Sequence, residues 1–108
     1  MLVCELKEKL ELEYANEGNT NLEVSDCYIG DMLSVVMSKA QEASVWLTVQ
    51  TNINITAVAA LVGLSCIIIV EGIKPQEDTL EKARQQGINI LTTDKAAYEV
   101  ACLINDIL

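Results

Sequence analysis

The distribution of hydrophobic and polar residues is most distinctive in the middle of the chain, where residues 43–70 contain no Asp, Glu, Lys or Arg. One polar island, residues 50–54, divides this charge-free stretch. Apolar residues 45–49 lead into the island, residues 55–64 follow it, and residues 66–70 form a second apolar run. The succession predicts a strand, a polar turn, a buried helix and a buried strand, which together make a βαβ unit of a parallel sheet. The nearly continuous apolar character of residues 55–64 predicts a helix buried between layers, ended by Gly63.

The segments before this unit predict a helix, two strands and a second helix. Residues 3–10 have an amphipathic helical pattern, and residues 11–14 and 22–29 have strand character. Asp31 is expected to cap the next helix. Its apolar stripe consists of Met32, Leu33, Val36, Met37 and Ala40.

The segments after the unit predict a polar helix, a short strand and a final helix. The polar helix covers residues 76–86 and stops at Gly87, and the strand covers residues 88–91. Thr92–Asp94 are expected to cap the last helix. The inward face of that helix is formed by Ala97, Val100, Ala101, Ile104 and Leu108.

This order of elements, α-β-β-α-β-α-β-α-β-α, predicts an α/β fold. Alternation of strands and helices favours a three-layer αβα domain with a mostly parallel sheet of about five strands. At 108 residues the chain has the length of a single domain, which we expect to cover residues 1–108.

The composition restricts the classes of partner. The chain carries 7 basic and 16 acidic residues, a net charge of −9, which repels phosphate backbones and makes nucleic acid an unexpected partner. Residues 43–70 are long enough to cross a bilayer, but the polar island and the flanking Glu42 and Glu71 argue against a membrane span. No secretory signal is recognisable at the start of the sequence.

The four cysteines form no metal-binding pattern. They lie at positions 4, 27, 66 and 102, none in a Cys-x-x-Cys pair, and the chain has no histidine, so we expect no metal and no cofactor. Cys66 and Cys102 lie among Ile, Val and Leu and are expected to be buried thiols. Reduced thiols are typical of a cytoplasmic protein.

No catalytic motif was found, and we expect no catalytic residues. The glycine patterns of P-loops and dinucleotide-binding folds are absent, and a serine or cysteine nucleophile would lack a histidine base. An enzyme would have to use Asp31 and Glu71 as its acid and base.

Polar residues follow each predicted strand of the sheet. Because ligands of parallel sheets bind at the carboxyl ends of the strands, we expect a polar or anionic ligand there. Ordinary caps and turns place the same residue types at these positions, which remains the alternative. The candidate ligand-binding residues are Asp31, Gln50, Thr51, Asn52, Glu71, Thr92 and Thr93.

The sequence resembles the DRTGG domain family. The resemblance is carried by residues 27–34, 46–55, 66–72 and 87–94, and by their order and spacing. The family is similar to the amino-terminal domain of bacterial HPr kinase/phosphorylase and occurs beside CBS and phosphotransacetylase domains, with a more distant likeness to the substrate-binding domains of Mur ligases. The resemblance implies an αβα fold, self-association and a regulatory or ligand-sensing role.

The motif that names the family is altered in this chain. Asn21-Leu22 stand where Asp-Arg would fall, and Ser25-Asp26-Cys27 stand in place of Thr-Gly-Gly. The kinase domain of the HPr enzyme is missing, so the resemblance does not extend to kinase activity.

Two functional hypotheses follow. The first is a non-catalytic regulatory module that forms a homodimer or binds a protein partner and tunes a metabolic or redox system. The alternative is a sensor of a small ligand, such as a nucleotide or nucleotide-sugar, bound at the carboxyl ends of the strands.

Overall fold

The computed structural model describes all residues, 1–108, and contains five helices around one five-stranded sheet. The helices are α1 (Val3–Lys9), α2 (Leu33–Lys39), α3 (Asn54–Val62), α4 (Glu77–Gln86) and α5 (Ala97–Ile107). The strands are β1 (Glu13–Asn16), β2 (Asp26–Ile29), β3 (Ser44–Thr48), β4 (Cys66–Ile69) and β5 (Ile90–Thr92). The order matches the one expected from the sequence.

The sheet is mostly parallel, as predicted. Its strand order is β1-β5-β4-β3-β2, with β2 to β5 parallel and β1 antiparallel to β5. The first and second strands of the chain therefore form its two edges.

Two apolar cores lie on opposite faces of the sheet, because successive side chains of a strand point to opposite sides. Within β3, Val45 and Leu47 belong to one core while Trp46 belongs to the other. Helices α1 and α5 cover the first core, and helices α2, α3 and α4 cover the second. The domain is thus the three-layer αβα arrangement that the sequence predicted.

Helices α4 and α5 leave the sheet on opposite sides. The connections from β2 to β3, β4 and β5 follow the sheet in order, and their helices all lie over one face. Helix α5, which follows β5, lies over the other face. The chain therefore diverges at the carboxyl ends of the adjacent strands β4 and β5.

Several apolar residues are more exposed than their spacing predicts. Met32 and Met37 are 65% and 44% exposed, so the apolar stripe of α2 is reduced to Val36 with partly buried Leu33 and Ala40. Helix α3 lies in an outer layer instead of between layers, and its Leu61 is 74% exposed. Leu108 and Cys102 are also exposed, so the buried positions predicted for them are wrong, whereas Cys66 is buried. Periodicity identifies the side that faces the sheet but not how much of the opposite side is also apolar.

The helix starts differ from the predicted caps. Helix α2 begins after Met32, α5 begins after Ala96, and neither has a side-chain cap. Asp31 and residues 92–94 therefore do not cap helices, and their side chains are free for other contacts. The predicted glycine stops are correct, because Gly63 and Gly87 adopt the left-handed conformation that ends α3 and α4.

The single tryptophan connects β3 to the β2–α2 turn. Trp46 is fully buried, and its indole N–H donates to the carbonyl of Gly30 over 2.8 Å.

Helix lengths also bear on the membrane question, since no helix is long and apolar enough to cross a bilayer.

Candidate functional site

The candidate residues at the ends of β2 and β3 form one hydrogen-bonded cluster. Asp31 Oδ1 accepts hydrogen bonds from the Thr48 hydroxyl at 2.8 Å and from the Val49 amide at 2.9 Å. The side-chain amide of Gln50 donates to the Asp31 carbonyl over 3.0 Å. These contacts join the turn after β2 to the end of β3. The predicted ligand-binding residues Asp31 and Gln50 are therefore both hydrogen-bonded within the chain.

The rest of the polar island connects this turn to the neighbouring helices. The carbonyl of Thr51 accepts a hydrogen bond from the Thr79 hydroxyl at 2.7 Å, which attaches the first turn of α4 to the island. Asn52 Oδ1 accepts from the Asn54 amide at the start of α3. The run is partly exposed at one rim of the sheet, as expected.

The remaining three candidates lie together at the ends of β4 and β5. The Glu71 amide donates to the carbonyl of Lys95, and the Gly72 amide donates to the carbonyl of Thr93, both over 2.9 Å. These bonds hold the loop after β4 against the loop after β5. Glu71 itself adopts a positive φ of 65°. It is not among the residues that line the cavity at the ends of these two strands, which is described next.

A cavity of about 180 Å³ opens at this second cluster. No hydrophobic residue lines it. Its volume is below the roughly 300–1,000 Å³ typical of sites for drug-sized ligands. The lining residues are Glu11, Glu13, Lys74, Thr92, Thr93, Asp94 and Lys95.

The position of the cavity follows from the topology. A crevice forms where the connections from adjacent parallel strands leave on opposite sides of the sheet. Helices α4 and α5 diverge in this way after β4 and β5, whereas α2 and α3 lie over the same face after β2 and β3. The structure therefore divides the predicted site into a bonded cluster at Asp31 and an open cavity at Thr92 and Thr93.

Five residues of the cavity were not among the predicted ligand-binding residues. Glu11 lies in the turn between α1 and β1, Glu13 is the first residue of β1, and Lys74 comes from the loop after β4. Asp94 and Lys95 follow β5, and the sequence predicts only a capping role for Asp94. The antiparallel pairing of Glu13 with Thr92 brings β1 to the cavity, and no sequence pattern indicates that pairing.

The hypothetical acid–base pair is not assembled. Asp31 lies after β2 and Glu71 after β4, both residues are exposed, and neither lines a cavity of the chain. The arrangement that acid–base catalysis would require is thus not formed by these two carboxylates.

Two larger grooves lie away from the strand ends. One, of about 510 Å³, lies between α1 and β1 and includes Tyr14, with Lys7 Nζ 5.8 Å from the centre of its ring. The other, of about 420 Å³, lies between the edge strand β2 and the end of α5. It is lined by Ser25, Asp26, Cys27, Ile29, Ala101, Ile104, Asn105 and Leu108.

The sequence matches the DRTGG domain over residues 5–107, nearly the whole chain. The chain belongs to the DRTGG domain family. No curated protein matches the sequence.

The fold is similar to that of a solved regulatory region. That structure contains the CBS and DRTGG domains of the regulatory region of Clostridium perfringens pyrophosphatase, complexed with the activator diadenosine tetraphosphate. The TM-score is 0.76 at 17% sequence identity. The match covers 94% of this chain and 45% of the other, so this chain spans less than half of that regulatory region.

The segment that was expected to correspond to the family's Thr-Gly-Gly lies on the groove at the edge of the sheet. Ser25 immediately precedes β2, Asp26 and Cys27 begin it, and all three line the groove beside the end of α5. Burial, and then the negative charge of Asp26, raise the pKa of the Cys27 thiol from 9.0 to about 11. At neutral pH the Cys27 thiol in this groove is therefore protonated.

Proposed function

We propose that this DRTGG domain is a non-catalytic regulatory module that associates with a second copy of itself and tunes a metabolic or redox partner system. Family membership and the absence of an assembled catalytic pair support the regulatory assignment. The observation that carries self-association is a surface with no acidic residue in its two helices and a single basic one, Lys39, on a strongly acidic domain.

The outer sides of α2 and α3 form this surface, which we call the charge-free face. Helix α3 has no charged residue, and Lys39 is the only one in α2. The two helices pack against each other over one side of the sheet. The exposed apolar residues of the face are Val35, Met37, Ala57, Ala60 and Leu61.

The charge-free face favours a second copy of the chain for an electrostatic reason. Two domains that each carry a net charge of −9 repel each other wherever acidic surfaces meet. Contact through α2 and α3 buries apolar area and brings few charges together. A two-fold dimer would place the same face of both copies in contact.

Sedimentation equilibrium of the intact chain tests this assignment. We expect a dimer, and we expect Leu61→Glu to yield a monomer because the charge would be buried at the contact. Tyr98→Glu is the matched control, since Tyr98 is 81% exposed on α5 at the opposite side of the sheet. A monomeric wild-type chain, or a dimer unaffected by Leu61→Glu, would exclude this face as the interface.

A second candidate function is supported by the polar cavity at the ends of β4 and β5. We propose that the domain can also act as a sensor of a small ligand bound there. The diadenosine tetraphosphate complex of the structurally similar regulatory region supports ligand-dependent regulation in a protein with this domain. The cavity volume of about 180 Å³ favours a ligand smaller than a nucleotide or nucleotide-sugar.

Thermal unfolding with a panel of nucleotides, sugar phosphates and amino acids tests the sensor function. A ligand present at 100 times its dissociation constant adds about 2.7 kcal/mol to the free energy of unfolding. We expect Lys74→Met, which removes an ammonium group from the cavity, to abolish the shift. The sensor function fails if no compound stabilises the domain, or if Lys74→Met responds like the unaltered chain.

A further inference from the structure

We propose that the cavity between β1, the end of β5 and the β4–α4 loop binds a small zwitterion of the amino-acid type. Such a ligand carries an ammonium and a carboxylate group a few atoms apart. The proposal rests on the sensor function above and specifies its ligand class.

The charges around the cavity are opposite in sign and unpaired. Three carboxylates and two ammonium groups line it, those of Glu11, Glu13, Asp94, Lys74 and Lys95. The ion pairs of the chain all join other residues, so none of these five charges is neutralised by another within 4.0 Å. A ligand with one charge of each sign can pair with both the carboxylates and the ammonium groups, whereas a ligand of a single sign is repelled by one of the two sets.

The two lysines differ in their freedom to bind a ligand. Lys95 Nζ donates a hydrogen bond to the carbonyl of Leu10 at 3.4 Å, and its amide donates to Thr93 Oγ1 at 3.2 Å. Lys74 has no such partner, and the backbone bonds from Glu71 and Gly72 to the loop after β5 hold its segment beside the cavity. We therefore assign the ligand carboxylate to Lys74.

Thr92 and Glu13 line the cavity from the paired strands β5 and β1. Thr92 is only 6% exposed, and its hydroxyl has no hydrogen-bond partner within the chain although it is not sealed from solvent. Because no group of the chain uses this hydroxyl, it is available to a ligand in the cavity. Glu13 is the cross-strand neighbour of Thr92, so its carboxylate and this hydroxyl can bind a ligand ammonium together.

Size and lining restrict the ligand further. A cavity of about 180 Å³ without a hydrophobic residue is lined mainly by polar surface, so we expect most of the affinity to come from charge-assisted hydrogen bonds. The lining has three acidic and two basic residues, a charge of −1, which disfavours a ligand with an additional negative charge. We therefore expect neutral amino acids to bind more tightly than their acidic isosteres.

Two-dimensional 1H–15N NMR spectra of the intact chain, with each standard L-amino acid added singly, provide the test. We expect saturable shifts at residues 92–95 and at Lys74, with glutamine binding more tightly than glutamate and asparagine more tightly than aspartate. Two derivatives of the tightest binder each lack one charge. The N-acetyl amino acid lacks the ammonium group, and the amino acid amide lacks the carboxylate. Each should bind roughly ten- to a hundredfold more weakly, as expected for loss of a charged hydrogen bond.

Variants locate the binding site. Lys74→Met and Glu13→Gln should each weaken binding to the same extent, and Thr92→Val should weaken it less. Lys82→Met is the matched control, because Lys82 lies on α4 outside the cavity and should leave binding unchanged. Unaltered binding in Lys74→Met would overturn the proposal.

The outcomes also separate this proposal from the sensor function. If inorganic phosphate or AMP shifts the cavity residues and no amino acid does, the zwitterion is excluded while a ligand sensor stands. If no compound shifts these residues, both are excluded. Binding of the N-acetyl derivative as tightly as the parent amino acid would show that the carboxylates do not take part, which also contradicts the proposal.

Discussion

The Asp31 carboxylate joins two strand ends that are separate in sequence. It accepts one hydrogen bond from the side chain of Thr48 and one from the main chain of Val49. Both donors come from the end of β3, while Asp31 belongs to the turn after β2. This contact, and not a helix cap, is the structural role of the residue.

Replacement of Asp31 tests that role. We expect Asp31→Ala to lower the free energy of unfolding by about 1–2 kcal/mol, because two hydrogen bonds are lost and the buried Thr48 hydroxyl loses its acceptor. The control is Asp106→Ala, an exposed carboxylate on α5 without a hydrogen bond, which should change stability by less than about 0.5 kcal/mol. Urea unfolding measures both, and equal effects would show that the Asp31 contacts contribute nothing.

The cysteines should differ in reactivity because their surroundings differ. Burial raises the pKa of the Cys66 thiol, and burial together with Asp26 raises that of Cys27 to about 11. Since the thiolate is the reactive form, we expect iodoacetamide at neutral pH to label exposed Cys102 first, Cys27 slowly and Cys66 only after unfolding. Mass spectrometry of timed samples follows each site, and native-state labelling of Cys66 at the rate of Cys102 would contradict the assignment.

The same pKa shift gives the sign of the pH dependence. The folded state retains the Cys27 proton to a higher pH than the unfolded chain, where the thiol has a pKa of about 9. Its contribution to stability is therefore complete below about pH 9 and is lost as the pH rises through about 11. Cys27→Ser should reduce this alkaline loss of stability in urea unfolding at several pH values, and an unchanged pH profile would show that Cys27 does not cause it.

At the scale of elements, the two central strands were easier to predict than the edge strands or the helix starts. Residues 45–49 and 66–70 are apolar runs, and a short apolar run is typical of a central parallel strand that is buried on both faces. Every residue of β3 and β4 is buried, as this pattern indicates. The caps at Asp31 and Asp94 were wrong because polar side chains near a helix start can bond to a neighbouring strand or face a cavity instead. Which of these occurs depends on contacts between residues far apart in sequence.

The loop between β1 and β2 packs tightly against the end of α4. Two glycines at this contact, Gly18 and Gly87, are required for different reasons: close packing at the first and backbone conformation at the second. A side chain at Gly18 would overlap the carbonyl oxygen of Gly87, whereas a side chain at Gly87 would meet nothing within 4 Å. Gly87 instead has a φ of +70°, which disfavours other residues.

We expect Gly87→Ala to cost about 1 kcal/mol, from the left-handed conformation alone. Gly18→Ala should cost more, roughly 2–3 kcal/mol, because the loop and the end of α4 must move apart. Thermal and urea unfolding of both variants provide the comparison. A smaller effect at Gly18 than at Gly87 would mean that the loop adjusts freely.

At the scale of the whole molecule, the sequence predicted the layers but not the location of the open cavity. Alternating strands and helices imply a sheet with helices on both faces, and the polar residues after the strands were correctly placed at one rim. The antiparallel position of β1 and the divergence of α4 and α5 were not readable, because both depend on how distant segments meet. These two features decide that Thr92 and Thr93 line a cavity while Asp31 does not.

The net charge should make the proposed self-association sensitive to salt. Two copies with a charge of −9 each repel at long range, and salt screens that repulsion while leaving apolar contact intact. We expect the dimer to tighten as NaCl is raised from roughly 0.05 to 0.5 M, over which the screening length falls several-fold. Sedimentation at each concentration measures this, and a dimer that weakens with salt would indicate an interface held by ion pairs instead of the charge-free face.

The buried Trp46, bonded to the Gly30 carbonyl beneath the layer that contains α2 and α3, gives the domain an intrinsic fluorophore. Its emission should lie at short wavelength in the native state and move to longer wavelength when water reaches the indole. Because the chain has no other tryptophan, the signal is free of overlap, and loosening of this single layer can be followed optically without any attached dye.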